Sequence, residues 1–183
     1  MQQTQAYISS NKKRFLDELL DLLRIPSISA DSSYNEEVEK CAKALSKNLT
    51  DIGLSNVQVY STEGHPIVYG EKTIDPKLPT VLIYGHYDVQ PADPLDLWDS
   101  EPFNPIIRTT QLHPEGAIFA RGACDDKGQM FMHVKAVEAM IASGELKCNV
   151  KFMIEGEEEV GSENLAVFVK NQKELLAADI ILV

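Results

Sequence analysis

Apolar positions along the chain follow two spacings, and the order in which these alternate is informative. Over residues 13–24, Phe15, Leu16, Leu19, Leu20 and Leu23 recur at three- and four-residue intervals between charged side chains, which predicts a helix with one apolar face. Ile25-Pro26 ends it, because the proline ring pushes the residue before it out of helical geometry. A second helix is predicted from about Asn35 to Ile52, after a Ser/Asp cluster suited to capping and before Gly53. Short β-branched or aromatic segments follow at 57–60, 67–69 and 80–84, separated by polar turns. Residues 106–112 and 117–120 predict a hairpin turned by His113-Pro114-Glu115-Gly116. Helical spacing returns at about 128–143 and stops at Gly144. A strand at 149–154, a helix near 162–176 and a strand at 179–183 complete the pattern. Strand, helix, strand, helix, strand is the grammar of an α/β fold, with a parallel sheet covered by helices. Asp179–Val183 reads as a core strand with no turn after it, so these residues are expected to be the front part of a longer protein.

Composition narrows the functional classes. The length of 183 residues suits one ordinary domain, and 44% hydrophobic with 25% charged residues fits a chain that buries a core. Asp and Glu number 28 against 17 Lys and Arg, a net charge of −11, which disfavours a nucleic-acid partner. No apolar run approaches the roughly 20 residues needed to span a bilayer. Met1–Lys13 lacks the basic-then-apolar order of a signal peptide, so a cytoplasmic location without a membrane partner is expected. Cys41, Cys124 and Cys148 are odd in number and scattered, which implies no disulfide framework.

Three segments at predicted strand ends carry chemistry, and in open α/β sheets ligands gather beyond such ends. In the first, the strand 81–84 runs into Gly85-His86-Tyr87-Asp88, where His86 and Asp88 can share a side. Either His86 is a metal ligand whose other nitrogen Asp88 grips, or the two form a local pair. The second, Arg121-Gly122-Ala123-Cys124-Asp125-Asp126-Lys127-Gly128, leads into a helix, and there an aspartate can cap or ligate. Its glycine spacing fits neither phosphate-binding fingerprint. Cys124 is a poor nucleophile beside two aspartates, which disfavour an anionic sulfur. The third is Glu155-Gly156-Glu157-Glu158-Glu159-Val160-Gly161-Ser162. Its glutamates are either a solvated face or a shaped loop that needs a cation. Together the three supply one imidazole and several carboxylates. That set suits zinc, or manganese or cobalt in its place, in a pair of sites that polarises a carbonyl for hydrolysis. His65, His113 and His133 belong to no motif and read as structural.

These three motifs, in this order, closely resemble the M20 metallopeptidases. Tyr87-Asp88-Val89-Gln90-Pro91 and Trp98-Asp99-Ser100-Glu101-Pro102-Phe103 are most similar to the carnosinase-like dipeptidase branch. The resemblance implies a three-layer, zinc-exopeptidase-like sheet flanked by helices, of which residues 1–183 form the N-terminal part of the catalytic domain. It implies that His86 and Glu159 bind metal and that Asp125 bridges two divalent ions, the peptide bond after it often being cis. It implies that Asp88 orients His86 and that Glu158 is the general base and acid. Asp126, Glu155 and Glu157 match no ligand position. Further ligands and a dimerisation domain are expected beyond Val183. The fragment alone is therefore expected to be inactive, and the parent chain a homodimer acting on dipeptides or small peptides. An N-acyl-amino-acid deacylase or desuccinylase with the same metals is the alternative within the family. A non-catalytic interaction module is the alternative outside it, and the retention of His86, Asp125, Glu158 and Glu159 weighs against that.

Overall fold

The first helix, α1 (Gln2–Leu23), begins well before the apolar spacing that predicts it. Its polar first turns are held from outside. Thr4 N–H donates to Glu145 at 3.0 Å, and Tyr7 Oη donates to Glu138 at 3.1 Å. Tertiary partners of this kind sustain helical turns that local pattern alone would not. In the computed structural model, which describes residues 1–183, α2 (Asn35–Asp51), β1 (Ser55–Tyr60), β2 (Ile67–Lys72) and β3 (Thr80–His86) follow. Asp31 caps a single 3-10 turn at Ser32–Tyr34 rather than α2 itself, accepting from Ser33 N–H at 2.9 Å. A short ribbon of β4 (Ile106–Arg108) and β5 (Ala117–Phe119) leads to α3 (Lys127–Ala142) and β6 (Asn149–Glu155).

The helix expected near 162–176 is two pieces, α4 (Leu165–Asn171) and α5 (Lys173–Leu176), before β7 (Ile180–Leu182). Lys151 on β6 explains where that segment docks. Its ammonium donates to the carbonyls of Leu175 and Ala177, drawing the end of α5 onto the sheet.

The main sheet has the order β1-β2-β6-β3-β7. It is parallel across β6, β3 and β7, as the strand–helix alternation predicts. The chain reaches that part through antiparallel β1 and β2, so the sheet is mixed. Alternate residues of each strand face opposite sides. Val68, Ile83, Val150, Phe152 and Ile154 pack with Leu45 and Leu49 of α2 and Val134 of α3, in a layer that α1 completes. Ile67, Tyr69, Leu82 and Met153 meet Phe168 of α4 and Leu176 of α5 on the other face. Three layers result. No helix is long and apolar enough to cross a membrane.

Two features aim the fold at one end of the sheet. The parallel register places His86 opposite Glu155, so β3 and β6 stop side by side. Lys127, with no exposed surface, donates from Nζ to Ile25 O at 2.6 Å and Leu22 O at 3.3 Å, tying the start of α3 to the end of α1. A cation at a helix C-terminus is favourable, and the pairing offsets the cost of burying it. The loop before α3 is thereby held against the strand ends.

Gly128 closes that loop. A Cβ there would stand 2.0 Å from Ala123 O, a contact with backbone that no side-chain rotation relieves. Gly128→Ala is expected to destabilise the protein by about 3 kcal/mol, the upper range for overpacking. Gly144, at φ +66° with open space around it, should lose about 1–2 kcal/mol on the same change, from backbone conformation alone. Urea unfolding of the two variants checks the order.

Candidate metal centre

His86 ends β3 and is buried. Its Nδ1 lies 3.3 Å from Asp88 Oδ1 and 3.2 Å from the Asp88 carbonyl, while Nε2 lies 3.1 Å from Asp125 Oδ1 and 3.9 Å from Glu158 Oε2. The extended step from His86 to Asp88 thus puts both on one side, as the i, i+2 spacing requires. Burial opposes a charge on the ring, but the hydrogen bond to Asp88 and the charges of Asp88, Asp126 and Glu158 outweigh it, and the pKa is pushed up to about 9. A histidine holding its proton among carboxylates marks a place where positive charge is in demand.

Asp88 does more than face His86. Its carboxylate, wholly buried, accepts from Ser29 Oγ at 2.6 Å, Glu159 N–H at 3.0 Å and Glu158 N–H at 3.2 Å. The short 3-10 turn Glu158–Val160 is hung from it. Ser29 carries no motif, and nothing in the sequence signals it.

The acidic run of 155–159 is a shaped loop, not a solvated face. Glu155 and Glu157 are buried, Glu159 is half-buried and Glu158 is exposed. Glu155 accepts from Tyr84 Oη at 2.6 Å and Ser162 Oγ at 3.0 Å, and burial pushes its carboxyl above the usual carboxylate value. Glu157 accepts from the Asn164 amide at 3.0 Å. Their roles are local, in keeping with their lack of a ligand position. Gly156 is required where it stands, because a Cβ would fall 2.3 Å from Tyr87 Oη.

Asp125 lies exposed in the loop before α3, and the Asp125–Asp126 peptide bond is cis. Asp126 occupies the N-cap position of α3 yet makes no side-chain cap there. Its carboxylate accepts instead from His86 N–H at 3.0 Å and joins the loop to β3, with burial raising its pKa. Cys124 is exposed and free.

His86, Asp125 and Glu159 come together, each offering one ligand atom, with all three atoms within 4.8 Å of one another. An imidazole and two carboxylates at this separation fit a divalent ion of the zinc, manganese or cobalt kind. Gln90 adjoins the group and donates from its amide to Glu159 Oε2 at 2.7 Å. Of the remaining histidines, His65 Nε2 lies 3.1 Å from Ser29 O, and the His113 N–H donates to Thr110 Oγ1 at 3.0 Å within its turn. His133, also read as structural, lines a cavity of about 300 Å³ together with His86, Asp125, Gln129 and Glu158. Helical spacing shows that it shares a face with Gln129, but the docking of α3 decides what that face meets.

The chain is similar to known proteins over most of its length. The chain is 34% identical over 178 residues to the Cys-Gly metallodipeptidase DUG1 of Saccharomyces cerevisiae, covering 90% of this chain and 36% of that protein. It is 34% identical over 158 residues to the Beta-Ala-His dipeptidase of Rattus norvegicus, covering 84% of this chain and 29% of that protein. The solved structure of the Saccharomyces cerevisiae di-peptidase Dug1p superposes with a TM-score of 0.88 at 31% identity, over 98% of this chain and 40% of that one. The chain thus spans 29–40% of the length of these relatives. Residues 82–182, from the strand that delivers His86 to the last strand of the sheet, match the model of Peptidase family M20/M25/M40, and the chain belongs to that family.

Proposed function

We propose that this chain forms the metal-holding part of a hydrolase that cleaves the amide bond of dipeptides or small peptides. The observation that carries the reading is the convergence of His86, Asp125 and Glu159 within 4.8 Å, with the Glu158 carboxylate 3.9 Å from His86. The substrates named for the relatives, Cys-Gly and Beta-Ala-His, are dipeptides and support the substrate class.

In this reading His86, Asp125 and Glu159 are ligands, and zinc is the ion proposed. A bound divalent ion supplies Lewis acidity towards a carbonyl and lowers the pKa of water. Glu158 stands free of the ligand group and exposed. It takes a proton from the attacking water as the new C–O bond forms, then gives that proton to the amine nitrogen as the C–N bond breaks. Asp88 holds the His86 ring from behind and fixes the backbone of Glu158 and Glu159, so base and ligand keep their spacing. Three ligands are too few for two ions. With Asp125 shared between two ions, the remaining donors would come from residues outside these 183, and the 183 residues alone should turn over little or no dipeptide.

Glu158→Gln in the full-length protein should lower kcat on a dipeptide by about 10²–10⁴-fold while metal content stays unchanged. Elemental analysis beside a turnover assay checks this, and undiminished turnover would remove Glu158 from its role. A metal binds the neutral imidazole, and His86 holds its proton up to a pKa of about 9 in the metal-free site. Metal affinity should therefore rise by about tenfold per pH unit below that value and level off above it, with about one proton released per ion at neutral pH. Titration calorimetry in buffers of different ionisation enthalpy measures the release, and a flat dependence between pH 6 and pH 8 would contradict it.

A further inference from the structure

Gln90 lies in the segment that leaves β3, just past the buried Asp88, and its side chain is exposed. Its amide nitrogen has two contacts, both with the same residue: Glu159 Oε2 at 2.7 Å and the Glu159 carbonyl at 3.4 Å. The first is a charge-assisted hydrogen bond of good length. The second bears on the main chain of the turn that Asp88 already fixes through the Glu159 N–H. Glu159 is thus gripped at its N–H by Asp88 and at one carboxylate oxygen by Gln90. Oε1 is left without a comparable partner.

That division has a consequence for metal choice. A carboxylate with one oxygen engaged by an amide offers the other as a single donor, which suits zinc with its four-coordinate preference and nitrogen-containing ligand sets. A carboxylate with both oxygens free can close on an ion from two points, an arrangement favoured by ions that take more oxygen ligands, such as manganese. We infer that Gln90 is a positioning residue that holds Glu159 as a one-oxygen donor and so biases the site towards zinc over manganese. The inference rests on the ligand assignment made under Proposed function, and it concerns the selectivity of that site.

The test uses the full-length protein stripped of metal with a chelator, with zinc and manganese titrated separately by calorimetry. Gln90→Met keeps the length of the side chain and removes the donor; Gln90→Ala removes both. Zinc affinity should fall by about tenfold or more in each variant, the range for losing a partner that orients a ligand. Manganese affinity should fall less or rise, so the zinc-to-manganese ratio drops. Affinities unchanged in both variants would overturn the inference. So would zinc and manganese falling by the same factor, because a loosened loop weakens every ion alike. Failure of the wild-type protein to bind either ion would overturn the ligand assignment as well, which separates the two failures.

Discussion

The end of this sheet depends on burying one carboxylate. Asp88 has no exposed surface, and an ionised group in that position costs several kcal/mol unless its lone pairs are met. They are met locally by His86, two residues before it, and from two distant stretches of chain: Ser29 between α1 and α2, and the N–H groups of Glu158 and Glu159 after β6. Neither distant contact can form until its stretch arrives. Correct assembly of the strand ends and of the α1–α2 connection is therefore a condition for hiding the charge. The same condition fixes the spacing of the imidazole, the free carboxylate and the half-buried one.

Around this anchor the fold collects more negative charge than a protein surface needs. Asp125, Asp126, Glu155, Glu158 and Glu159 lie around His86, which against the cost of burial holds its proton through its hydrogen bond to Asp88 and the charges of Asp88, Asp126 and Glu158. Like charges at this density repel, and repulsion is relieved by protonation or by a cation. Burial raises Asp126 and Glu155 towards the neutral form, while Asp125, Glu158 and Glu159 stand where an ion can reach them. The acidic cluster thus divides into carboxyls that shape the site and carboxylates available to it. Lys127, the nearby buried cation, is occupied with carbonyls at the end of α1 and does not discharge the cluster.

Much of this was legible in the order of residues. β-branched and aromatic segments ending in His-x-Asp and in a glutamate run, joined by the helical segment that becomes α3, give a parallel core with its loops at one end. His86, Asp125 and Glu159 were identifiable from their motifs and do converge. Other features were not legible. The polar first turns of α1 are helical because Glu138 and Glu145 hold them, and both lie far along the chain. The division of the 155–159 run into buried and exposed glutamates has no periodic signature, because the chain there is a turn and not a strand. The neighbours of His133 and Gln90 were hidden for a related reason: a residue on a helix face or a loop acquires its neighbour only when another element arrives.

The sequence by itself determined which side chains are capable of the chemistry and which strand ends present them, because hydrophobic period and turn residues are local properties. It also determined the family, through three motifs whose order and spacing the chain keeps. The motifs already pointed to Asp88 as a support and Glu158 as the base; tertiary structure alone decided what holds each carboxylate in its role. Those roles follow from burial and from hydrogen-bond donors supplied by distant segments, and a carboxylate carries no mark of either until the sheet has brought them together.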